Sequence, residues 1–412
     1  MRIWLLTVGE TLPMLDEEAR KMRTALLALE LVSRGHEVVW WTSTIDHLRK
    51  RELSKVSFTK QWQEALTVEF LAGPMYTRSL SLRRYLNHIV VALRFMRAAR
   101  KSRRPNIIVA SYPTPELAAA AAYVARRINV PLIVDVRDLW PEELLAQLSG
   151  PLRWIGIIAT LPMFFLRRYA FRRARSISAV SPSYAAWASR KAGRVLEESP
   201  EVFTLGYQSN ISRDGHEFAV SRLADRGVDF RRPIFSFVTS LNEGADIQMI
   251  VDAARLLERR ATHVQIVIAG AGESASRLQQ MISNLATVRY VGWIDASEIG
   301  ALLSASLAGL ILYKGHSQVS LSNKLFEYLS FGLPIILSLG GDARLLVEKE
   351  KIGTHVPPGH AHALADAIED LLKDPATRRE QAERAGKLFE KHFRAESVYS
   401  GFADYIERRA SH

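Results

Sequence analysis

Strand-forming runs alternate with longer helical patterns along all 412 residues, and this alternation restricts the fold more than any other feature. In the first half, strands are predicted near residues 2–8, 37–42, 66–71, 106–110, 131–135, 176–180 and 201–204. In the second half, they are predicted near residues 234–239, 264–269, 288–291, 308–312 and 334–338. Strands that alternate with helices form parallel sheets covered on both faces. We therefore predict an α/β protein of doubly wound sheets, which bind ligands at the carboxyl ends of their strands.

A polar stretch without periodicity follows residue 205 and separates the two halves. The chain is longer than one hydrophobic core usually organises, so two domains are expected. The predicted boundaries are residues 1–206 for the first domain and 207–392 for the second. An amphipathic segment, residues 393–412, closes the chain and is expected to pack back on the first domain.

The positive charge is confined to the first half of the chain. Lys and Arg total 55 against 43 Asp and Glu, a net charge of +12. Residues 1–200 hold 31 basic and 17 acidic residues, and the remainder holds 24 and 26. The two halves are therefore expected to meet different partners. The absence of cysteine excludes disulfides, thiolate nucleophiles and Cys-ligated metals, and it fits a reducing, cytoplasmic location.

Two helical segments of the first half combine apolar and basic residues. Residues 153–175 contain six arginines, and residues 80–104 carry an apolar side made of Leu86, Ile89, Val90, Leu93 and Met96. Such helices can lie on an anionic membrane surface, or they can cover a sheet and leave a solvated basic face. Both interpretations remain open. No nucleic-acid-binding motif accompanies the charge, so no nucleic acid is expected as a partner.

Neither a signal peptide nor a membrane-spanning helix is predicted. The apolar stretch at the N-terminus is too short for a signal peptide, and no small-residue cleavage site follows it. The longest mainly apolar run, residues 154–166, is shorter than the roughly 20 residues needed to cross a bilayer.

Residues 312–336 contain the most informative motif. A strand pattern ends, a polar loop follows, and Ser322 stands at the N-cap position of a helix predicted over residues 323–331. The N-terminus of a helix favours a phosphate group. Lys324 and Glu327 share one face of this helix, so the cation could neutralise a diphosphate while the carboxylate accepts hydrogen bonds from ribose hydroxyls. A solvated Lys and Glu pair is the alternative interpretation.

The sequence of residues 322–336, Ser-Asn-Lys-Leu-Phe-Glu-Tyr-Leu-Ser-Phe-Gly-Leu-Pro-Ile-Ile, resembles the donor-binding segment of retaining glycosyltransferases of family 4. The subgroup it resembles comprises bacterial surface-polysaccharide glycosyltransferases. Residues 4–13, 135–142, 180–184, 269–273 and 291–294 also resemble that family in order and spacing. The resemblance covers nearly the whole chain. It implies the GT-B fold of two facing Rossmann-like domains, with an N-terminal acceptor domain and a C-terminal nucleotide-sugar donor domain.

In the second domain, the resemblance implies roles for five residues. Glu327 would bind the donor ribose. The backbone amides of Ser322 and Asn323 would hold the diphosphate together with Lys324, which would also stabilise the leaving group. The backbone of Ile294 would recognise the base.

Four further residues follow from the same resemblance. Gly270 lies in a donor-binding loop, and Gly9 would let the first domain approach the donor sugar. In the family a His often lies near the reacting sugar, but residues 110–115 contain none. Arg137 and Asp138 are therefore the candidate catalytic residues on that side.

The sequence departs from the family pattern at three places. Val319 stands where the first acid of the Glu-x7-Glu motif is expected, Asp16-Glu-Glu-Ala replaces a Gly-Gly pair, and residues 240–244 lack the usual Arg and Lys. These departures keep a second hypothesis open, in which the chain is a non-catalytic partner subunit of a glycan-assembly complex.

The expected activity is transfer of a hexose or aminosugar from a nucleotide-diphosphate sugar to a lipid-linked glycan at the cytoplasmic face of an anionic membrane. The resemblance implies no cofactor and no metal, and no Asp-x-Asp motif is present. A nicotinamide-dependent oxidoreductase is disfavoured, because the glycine motif that starts at Gly270 has Ala275 at its sixth position and no acid ends the next strand.

Overall fold

The structure is a computed structural model that describes residues 1–16, 19–47, 49–78, 81–146, 148, 150–193, 198–208, 216–315, 317 and 319–411. The Asp16–Ala19 segment and the polar stretch between the two halves lie partly outside the described residues. The described strands are β1 (Arg2–Leu6), β2 (Glu37–Ser43), β3 (Ile45–Asp46), β4 (Arg51–Glu52), β5 (Phe58–Gln63), β6 (Leu66–Leu71), β7 (Ile107–Tyr112), β8 (Leu132–Val136), β9 (Ser176–Ala179), β10 (Glu201–Val202), β11 (Ile234–Val238), β12 (Gln265–Ala269), β13 (Val288–Tyr290), β14 (Ser306–Ile311), β15 (Ile335–Leu337) and β16 (Gly353–His355).

Helices follow most of these strands, as the alternating pattern predicts. They are α1 (Arg23–Ser33), α2 (Leu82–Ala99), α3 (Pro115–Arg127), α4 (Glu142–Ala146), α5 (Gly150–Arg173), α6 (Pro182–Lys191), α7 (His216–Asp225), α8 (Ile247–Arg259), α9 (Ala275–Ile282), α10 (Ala296–Ser304), α11 (Asn323–Ser330), α12 (Gly341–Glu350), α13 (Ala361–Lys373), α14 (Pro375–His392) and α15 (Ala395–Ala410).

The chain divides into two compact units. The first comprises Met1–Gly206 and Ala395–His412, and the second comprises Tyr207–Arg394. The returning segment therefore begins at Ala395 rather than at residue 393, because residues 393 and 394 remain bonded to the second unit. There the Tyr207 amide donates to the Phe393 carbonyl over 3.0 Å.

The described residues of the first unit form an eight-stranded sheet in the order β10-β9-β8-β7-β1-β2-β6-β5. Every neighbouring pair is parallel except β5 with β6. Strand β5, an antiparallel edge strand that alternates half-buried and exposed residues, was not predicted from the sequence. Helices α2, α3, α5 and α6 cover one face of the sheet, and α1 with α15 covers the other.

The second unit contains a six-stranded parallel sheet in its described part, in the order β13-β12-β11-β14-β15-β16. Helices α8 and α13 pack on one face, and α7 and α10 pack on the other. Both sheets are doubly wound, so the fold prediction is confirmed. The helix predicted over residues 323–331 is observed as α11, which ends at Ser330.

Local sequence signals explain where several helices begin. The Ser81 hydroxyl accepts from the Arg84 amide over 3.2 Å at the start of α2, and the Asp246 carboxylate accepts from the Met249 amide over 3.1 Å at the start of α8. Helix α1 was predicted from residue 19 but begins at Arg23, because Met22 is extended. Its other end is as predicted, since Gly35 adopts the positive φ of +79° that follows a helix terminus.

Candidate functional site

The loops at the carboxyl edge of the second sheet form a continuous rim. Backbone hydrogen bonds join the loops after β13, β12, β11 and β14 in that order. They run from Gly270 to Gly292 over 2.7 Å, from Leu241 to Ala271 over 2.9 Å, and from Lys314 to Gly244 over 3.1 Å. The rim carries all the donor-site residues predicted for the second domain. Three inter-strand spacings separate β13 from β14, so it spans about 14 Å.

Gly270 permits the close approach of two of these loops. Its φ is +135°, and a Cβ atom there would lie 1.8 Å from the Thr239 carbonyl oxygen. No side chain fits at that distance. Gly270 is thus a structural requirement of the rim, whether or not it also lies against a ligand.

The loop that carries Ile294 is held in place by hydrogen bonds from nearby side chains. Arg226, which directly follows α7, donates to the carbonyls of Val291 and Trp293 over 3.2 and 3.1 Å. The Asp295 carboxylate caps α10 and the Glu298 carboxylate accepts from the Asp295 amide over 3.0 Å. The Ile294 side chain is buried at 3% exposure, whereas the neighbouring Trp293 is 69% exposed. The loop therefore presents a fixed backbone and an aromatic ring at the end of the rim.

Helix α11 begins at the opposite end of the rim with the cap that the sequence predicts. The Ser322 hydroxyl accepts from the Lys324 amide over 3.4 Å, and the Ser322 carbonyl accepts from the Leu325 amide over 3.0 Å. In the described part of the chain, no partner is found for the backbone amides of Ser322 and Asn323. Unpaired amides at a helix N-terminus suit an anionic ligand.

Lys324 lies over an aromatic ring that the sequence analysis did not single out. Its ammonium group is 5.0 Å from the centre of the Tyr313 ring and donates to the Tyr313 hydroxyl over 3.1 Å. That hydroxyl lies 3.2 Å from the Ser322 hydroxyl. The cation is therefore positioned beside the cap, because Tyr313 lies at the start of the loop that follows β14.

Glu327 is buried at 6% exposure, one turn into α11. Its carboxylate accepts a hydrogen bond of 2.8 Å from the Tyr207 hydroxyl. Tyr207 is the first residue of the second unit and pairs with Arg394, the last one. No local pattern indicates this contact, since the two residues are 120 positions apart.

Tyr328 fixes α11 to the sheet. Its fully buried hydroxyl accepts from the Val238 amide over 2.9 Å and lies 3.3 Å from the Leu310 carbonyl. Gly309 of β14 makes room for the ring, because a Cβ at that position would lie 2.2 Å from it. Val319, at the position of the expected first acid, lies half-buried in the loop before the helix and offers no carboxylate.

In the first unit, Gly9 follows β1 with a φ of +88° and lies beside His47. A Cβ on Gly9 would be 4.0 Å from the His47 side chain. His47 contacts the Tyr76 hydroxyl over 2.8 Å, and burial, with Arg84 as a second cause, lowers its pKa to about 3. The structure thus places a neutral imidazole beside the loop, although the predicted stretch contains no histidine. In the sequence, this imidazole was indicated by nothing more than a histidine after the second predicted strand.

Arg137, after β8, is bound on two sides by carboxylates. Its guanidinium donates to Asp135 over 2.7 Å, to Glu10, and to the Thr24 hydroxyl over 3.1 Å. Arg23 binds the same Asp135 carboxylate through two hydrogen bonds of 2.9 Å. This geometry favours Arg137 as a residue that holds the loops after β1 and β8 together.

Asp138 has a different environment from its neighbour. Burial is the main cause that raises its pKa, to about 7, and Glu143 adds to the effect, while Arg137 and Arg84 oppose it. A carboxyl group with this pKa can give or take a proton near neutral pH. Of the two predicted catalytic residues in this domain, Asp138 has the more suitable chemistry.

The charge of Arg84 acts to lower the pKa of both His47 and Asp138, and Arg84 was not predicted as a site residue. Its guanidinium lies 4.5 Å from the centre of a Trp140 ring, and burial lowers its pKa. On the same helix, His88 lies 3.6 Å from Glu116 of α3, and both side chains are buried. Helical spacing on α2 places Arg84 and His88 on one face, but the sequence does not show which face meets the sheet edge.

Residues 21–198 match the family model described as "Glycosyl transferase 4-like domain", and residues 224–388 match the model described as "Glycosyl transferases group 1". The chain is 27% identical over 285 residues to the alpha-D-kanosaminyltransferase of Streptomyces kanamyceticus, covering 66% of this chain and 69% of that one. It is 23% identical over 180 residues to the lipopolysaccharide core biosynthesis glycosyltransferase LpsE of Rhizobium meliloti, covering 40% and 52% of the two chains.

Among solved structures, the chain is similar to the Anabaena protein HepE in complex with UDP. The TM-score is 0.68 at 16% identity, and the alignment covers 99% of this chain and 100% of HepE. Together with the two doubly wound sheets, this similarity defines the class of protein as the GT-B fold, with two Rossmann-like domains. The family matches then define the chain more closely: it is a glycosyltransferase, with a glycosyltransferase 4-like domain followed by a glycosyltransferase group 1 domain.

Proposed function

We propose that this glycosyltransferase transfers a hexose or aminosugar, with retention of configuration, from a nucleotide-diphosphate sugar to a lipid-linked glycan. The observation that carries the proposal is the N-terminus of α11. It combines unpaired amides at Ser322 and Asn323, the cation of Lys324 and the buried carboxylate of Glu327. The amides and the cation suit the diphosphate, and the carboxylate suits the ribose hydroxyls of a nucleoside diphosphate.

The donor would lie along the rim of the second domain. A span of about 14 Å between the Ile294 loop and α11 is comparable to the length of an extended nucleoside diphosphate. The base would meet the backbone of Ile294, and the ribose hydroxyls would donate to Glu327. UDP is the nucleotide in the HepE complex, which supports a uridine or related donor.

The leaving diphosphate gains negative charge as the glycosidic bond breaks. Amides and a cation that are fixed in advance stabilise that charge more than they stabilise the bound donor. Lys324 is fixed over Tyr313 by a hydrogen bond and a cation–π contact. We propose that this electrostatic stabilisation replaces a metal ion. In the described residues, no group of three or more acidic or histidine side chains is placed to hold one.

The first domain would bind the acceptor. Its loops place Gly9, Asp138 and Arg137 at the carboxyl edge of the first sheet, and Asp138 is proposed to act on the acceptor hydroxyl or the reacting sugar. The LpsE relative acts in lipopolysaccharide core biosynthesis, which supports a glycan acceptor in polysaccharide or lipopolysaccharide assembly. A lipid-linked acceptor would place the enzyme at the cytoplasmic face of an anionic membrane.

A non-catalytic partner subunit is the second candidate function. Val319 favours it, because the donor sugar would lose the contact that a first acid provides. The two candidate functions are distinguished by incubating the protein with UDP-glucose and other nucleotide sugars and measuring slow hydrolysis of the donor. Release of nucleotide diphosphate supports the enzyme, and binding without any turnover, for every donor and acceptor offered, supports the subunit.

Glu327→Gln tests the donor site directly. The substitution keeps the volume and can still accept from Tyr207, but it removes the charge that the ribose hydroxyls would meet. We expect nucleotide-sugar affinity to fall about 10- to 100-fold in calorimetry, since a hydrogen bond to a charged group contributes about 1.5–3 kcal/mol. Glu383→Gln on the exposed side of α14 is the control. Unchanged affinity with an intact far-UV spectrum would remove Glu327 from the site.

A further inference from the structure

Helix α5 exposes a row of large apolar side chains. Trp154, Ile158, Leu161 and Phe165 recur at intervals of four and three residues, so they lie on one stripe of the helix. Their exposed fractions are 72%, 69%, 44% and 69%. Ile155, beside this stripe, is 62% exposed. Single exposed apolar residues are common, but a continuous row of this length marks an interaction surface.

The opposite side of α5 already packs against the protein. Its buried residues are Thr160, Met163, Arg167, Ala170 and Phe171, about half a turn around the helix from the exposed row. Helix α5 thus has an apolar face toward α3 and another toward solvent. The exposed row is therefore not the stripe by which the helix covers the sheet.

Helix α2 shows the same arrangement. Its buried side includes His88, Val91 and Phe95, whereas Leu82, Leu86 and Leu93 are 80%, 51% and 43% exposed. The apolar side predicted from the sequence, which includes Leu86 and Leu93, is thus not the side that meets the sheet. Both α2 and α5 contact α3 and lie on the same face of the first sheet.

Arginines continue both rows toward the C-terminal ends of the helices. On α5 the next positions of the stripe are Arg168 and Arg172, and on α2 they are Arg97 and Arg100; all four are exposed. The shared face, which we name the α2–α5 face, therefore changes from apolar to basic along the helix direction. In the described residues, no helix is long and apolar enough to cross a membrane.

We propose that the α2–α5 face is a membrane-binding surface that inserts its apolar rows into one leaflet and sets its arginines against anionic headgroups. An interfacial site of this kind needs an apolar row beside clustered basic residues. A second copy of the chain is the alternative occupant of this face. Parallel pairing of two α5 helices would oppose arginine to arginine, whereas antiparallel pairing would set arginines against apolar and aromatic side chains, so sedimentation must distinguish a dimer from a membrane-bound chain.

The location of the face fits an acceptor carried by lipid. Helices α2 and α5 run antiparallel to the strands that precede them, so their apolar N-terminal halves lie toward the carboxyl edge of the first sheet. The loops with Gly9, Arg137 and Asp138 leave the sheet at that same edge. Insertion would bring the leaflet close to the proposed acceptor site. This inference rests on the proposed function only for the identity of the acceptor.

Vesicle binding by the full chain tests the proposal. Flotation with phosphatidylcholine vesicles, with and without phosphatidylglycerol, is measured at about 0.1 M and about 1 M salt, where charge attraction is strong and then largely screened. We expect anionic vesicles to bind most of the protein at low salt, and a measurable part to stay bound at high salt because the apolar rows are inserted. Complete release at high salt, or no binding to anionic vesicles, would overturn insertion.

Variants then locate the contact. Ile158→Asn combined with Phe165→Ser should lower the vesicle partition coefficient at least tenfold at both salt concentrations. Arg168→Gln combined with Arg172→Gln should lower it mainly at low salt. Phe218→Ser combined with Leu345→Ser is the control, because these exposed residues, at 68% and 64%, belong to the second unit. Thermal melts should be unchanged for all three variants, since each replaced side chain is exposed.

Two outcomes would overturn the assignment of the face. The first is that Ile158→Asn with Phe165→Ser binds vesicles like the parent. The second is that this variant abolishes a dimer seen in sedimentation while vesicle binding persists, which would assign the face to a second copy. The vesicle assay contains neither donor nor acceptor, so failure of vesicle binding would not contradict the proposed activity. Failure of donor turnover would likewise not contradict the proposed membrane-binding surface.

Discussion

Two carboxylates, Asp135 in β8 and Asp138 just after it, show how neighbouring residues acquire opposite properties. Burial alone would raise the pKa of Asp135, but Arg23 and Arg137 outweigh that effect and hold the pKa below its usual range. Asp138 lacks such close cations, and burial together with Glu143 raises its pKa to about 7. Asp135 is therefore ionised and structural, whereas Asp138 is the group whose proton can move near neutral pH.

Asp138 should make the protein less stable as pH rises. Its carboxyl group holds a proton more tightly in the folded state than in the unfolded state, where the pKa is 3.8. Its contribution is therefore fully present below about pH 4 and is lost as pH rises through about 7. In urea denaturation, we expect the free energy of unfolding of Asp138→Asn to equal that of the parent at acidic pH. At pH 8 it should exceed that of the parent by about 2 kcal/mol. Equal stability at both pH values would show that Asp138 is well solvated.

Tyr207 is expected to orient Glu327 through their hydrogen bond of 2.8 Å. Tyr207→Phe removes the hydroxyl and little else, so the carboxylate should lose a fixed orientation while the fold is kept. One hydrogen bond contributes about 0.5–1.5 kcal/mol, which predicts a 2- to 12-fold weaker nucleotide affinity. KM for the donor should rise with little change in kcat. Tyr123→Phe, at an exposed tyrosine of α3, is the control, and equal donor affinity in both variants would contradict the role.

At the scale of secondary-structure elements, the rim of the second sheet depends on glycines that allow loops to touch. Gly270→Ala places a Cβ within 1.8 Å of a backbone oxygen and at a φ that L-residues rarely adopt. We expect a loss of stability of about 2–4 kcal/mol, measured by chemical denaturation. Gly300→Ala in α10 is the matched control, because nothing lies within 4 Å of its added methyl group. That substitution should stabilise by about 0.5–1 kcal/mol.

At the scale of the whole molecule, the last helix belongs to the first unit although it follows the second in sequence. Phe402 of α15 stacks on Phe203 with ring centres 4.5 Å apart, and the Arg23 guanidinium lies 4.9 Å from its ring centre. The core of the first unit is therefore completed by the final segment of the chain. Residues 395–410 should order only when the first unit folds.

Phe402→Ala should destabilise the first unit by about 3–5 kcal/mol. Hydrogen exchange should rise in β1, β7 and β8 and remain unchanged in the second sheet. Phe389→Ala, at a buried position of α14 in the second unit, should give the reverse pattern. A uniform rise in exchange after either substitution would show that the two units unfold together.

Sequence patterns predicted most of the fold because burial and periodicity are local signals. The alternation of strands and helices located the parallel strands, and the Ser322 cap predicted the start of α11 at the correct residue. The antiparallel edge strand β5 was missed, because its alternating half-buried and exposed residues carry a weak hydrophobic signal. The side of α2 that meets the sheet stayed open, because α2 is apolar on two sides and periodicity does not show which of them is buried.

The sequence by itself determined the α/β class, the two-domain organisation and the Ser322 cap that begins α11, since these follow from residues close together in the chain. The tertiary structure alone decided the contacts of Glu327 with Tyr207, of Gly9 with His47, and of Arg23 with Asp135. It also decided that Arg137 is held by two carboxylates while Asp138 has a raised pKa. The pairs Arg23–Asp135 and Tyr207–Glu327 join residues more than 100 positions apart, and no local pattern records such contacts.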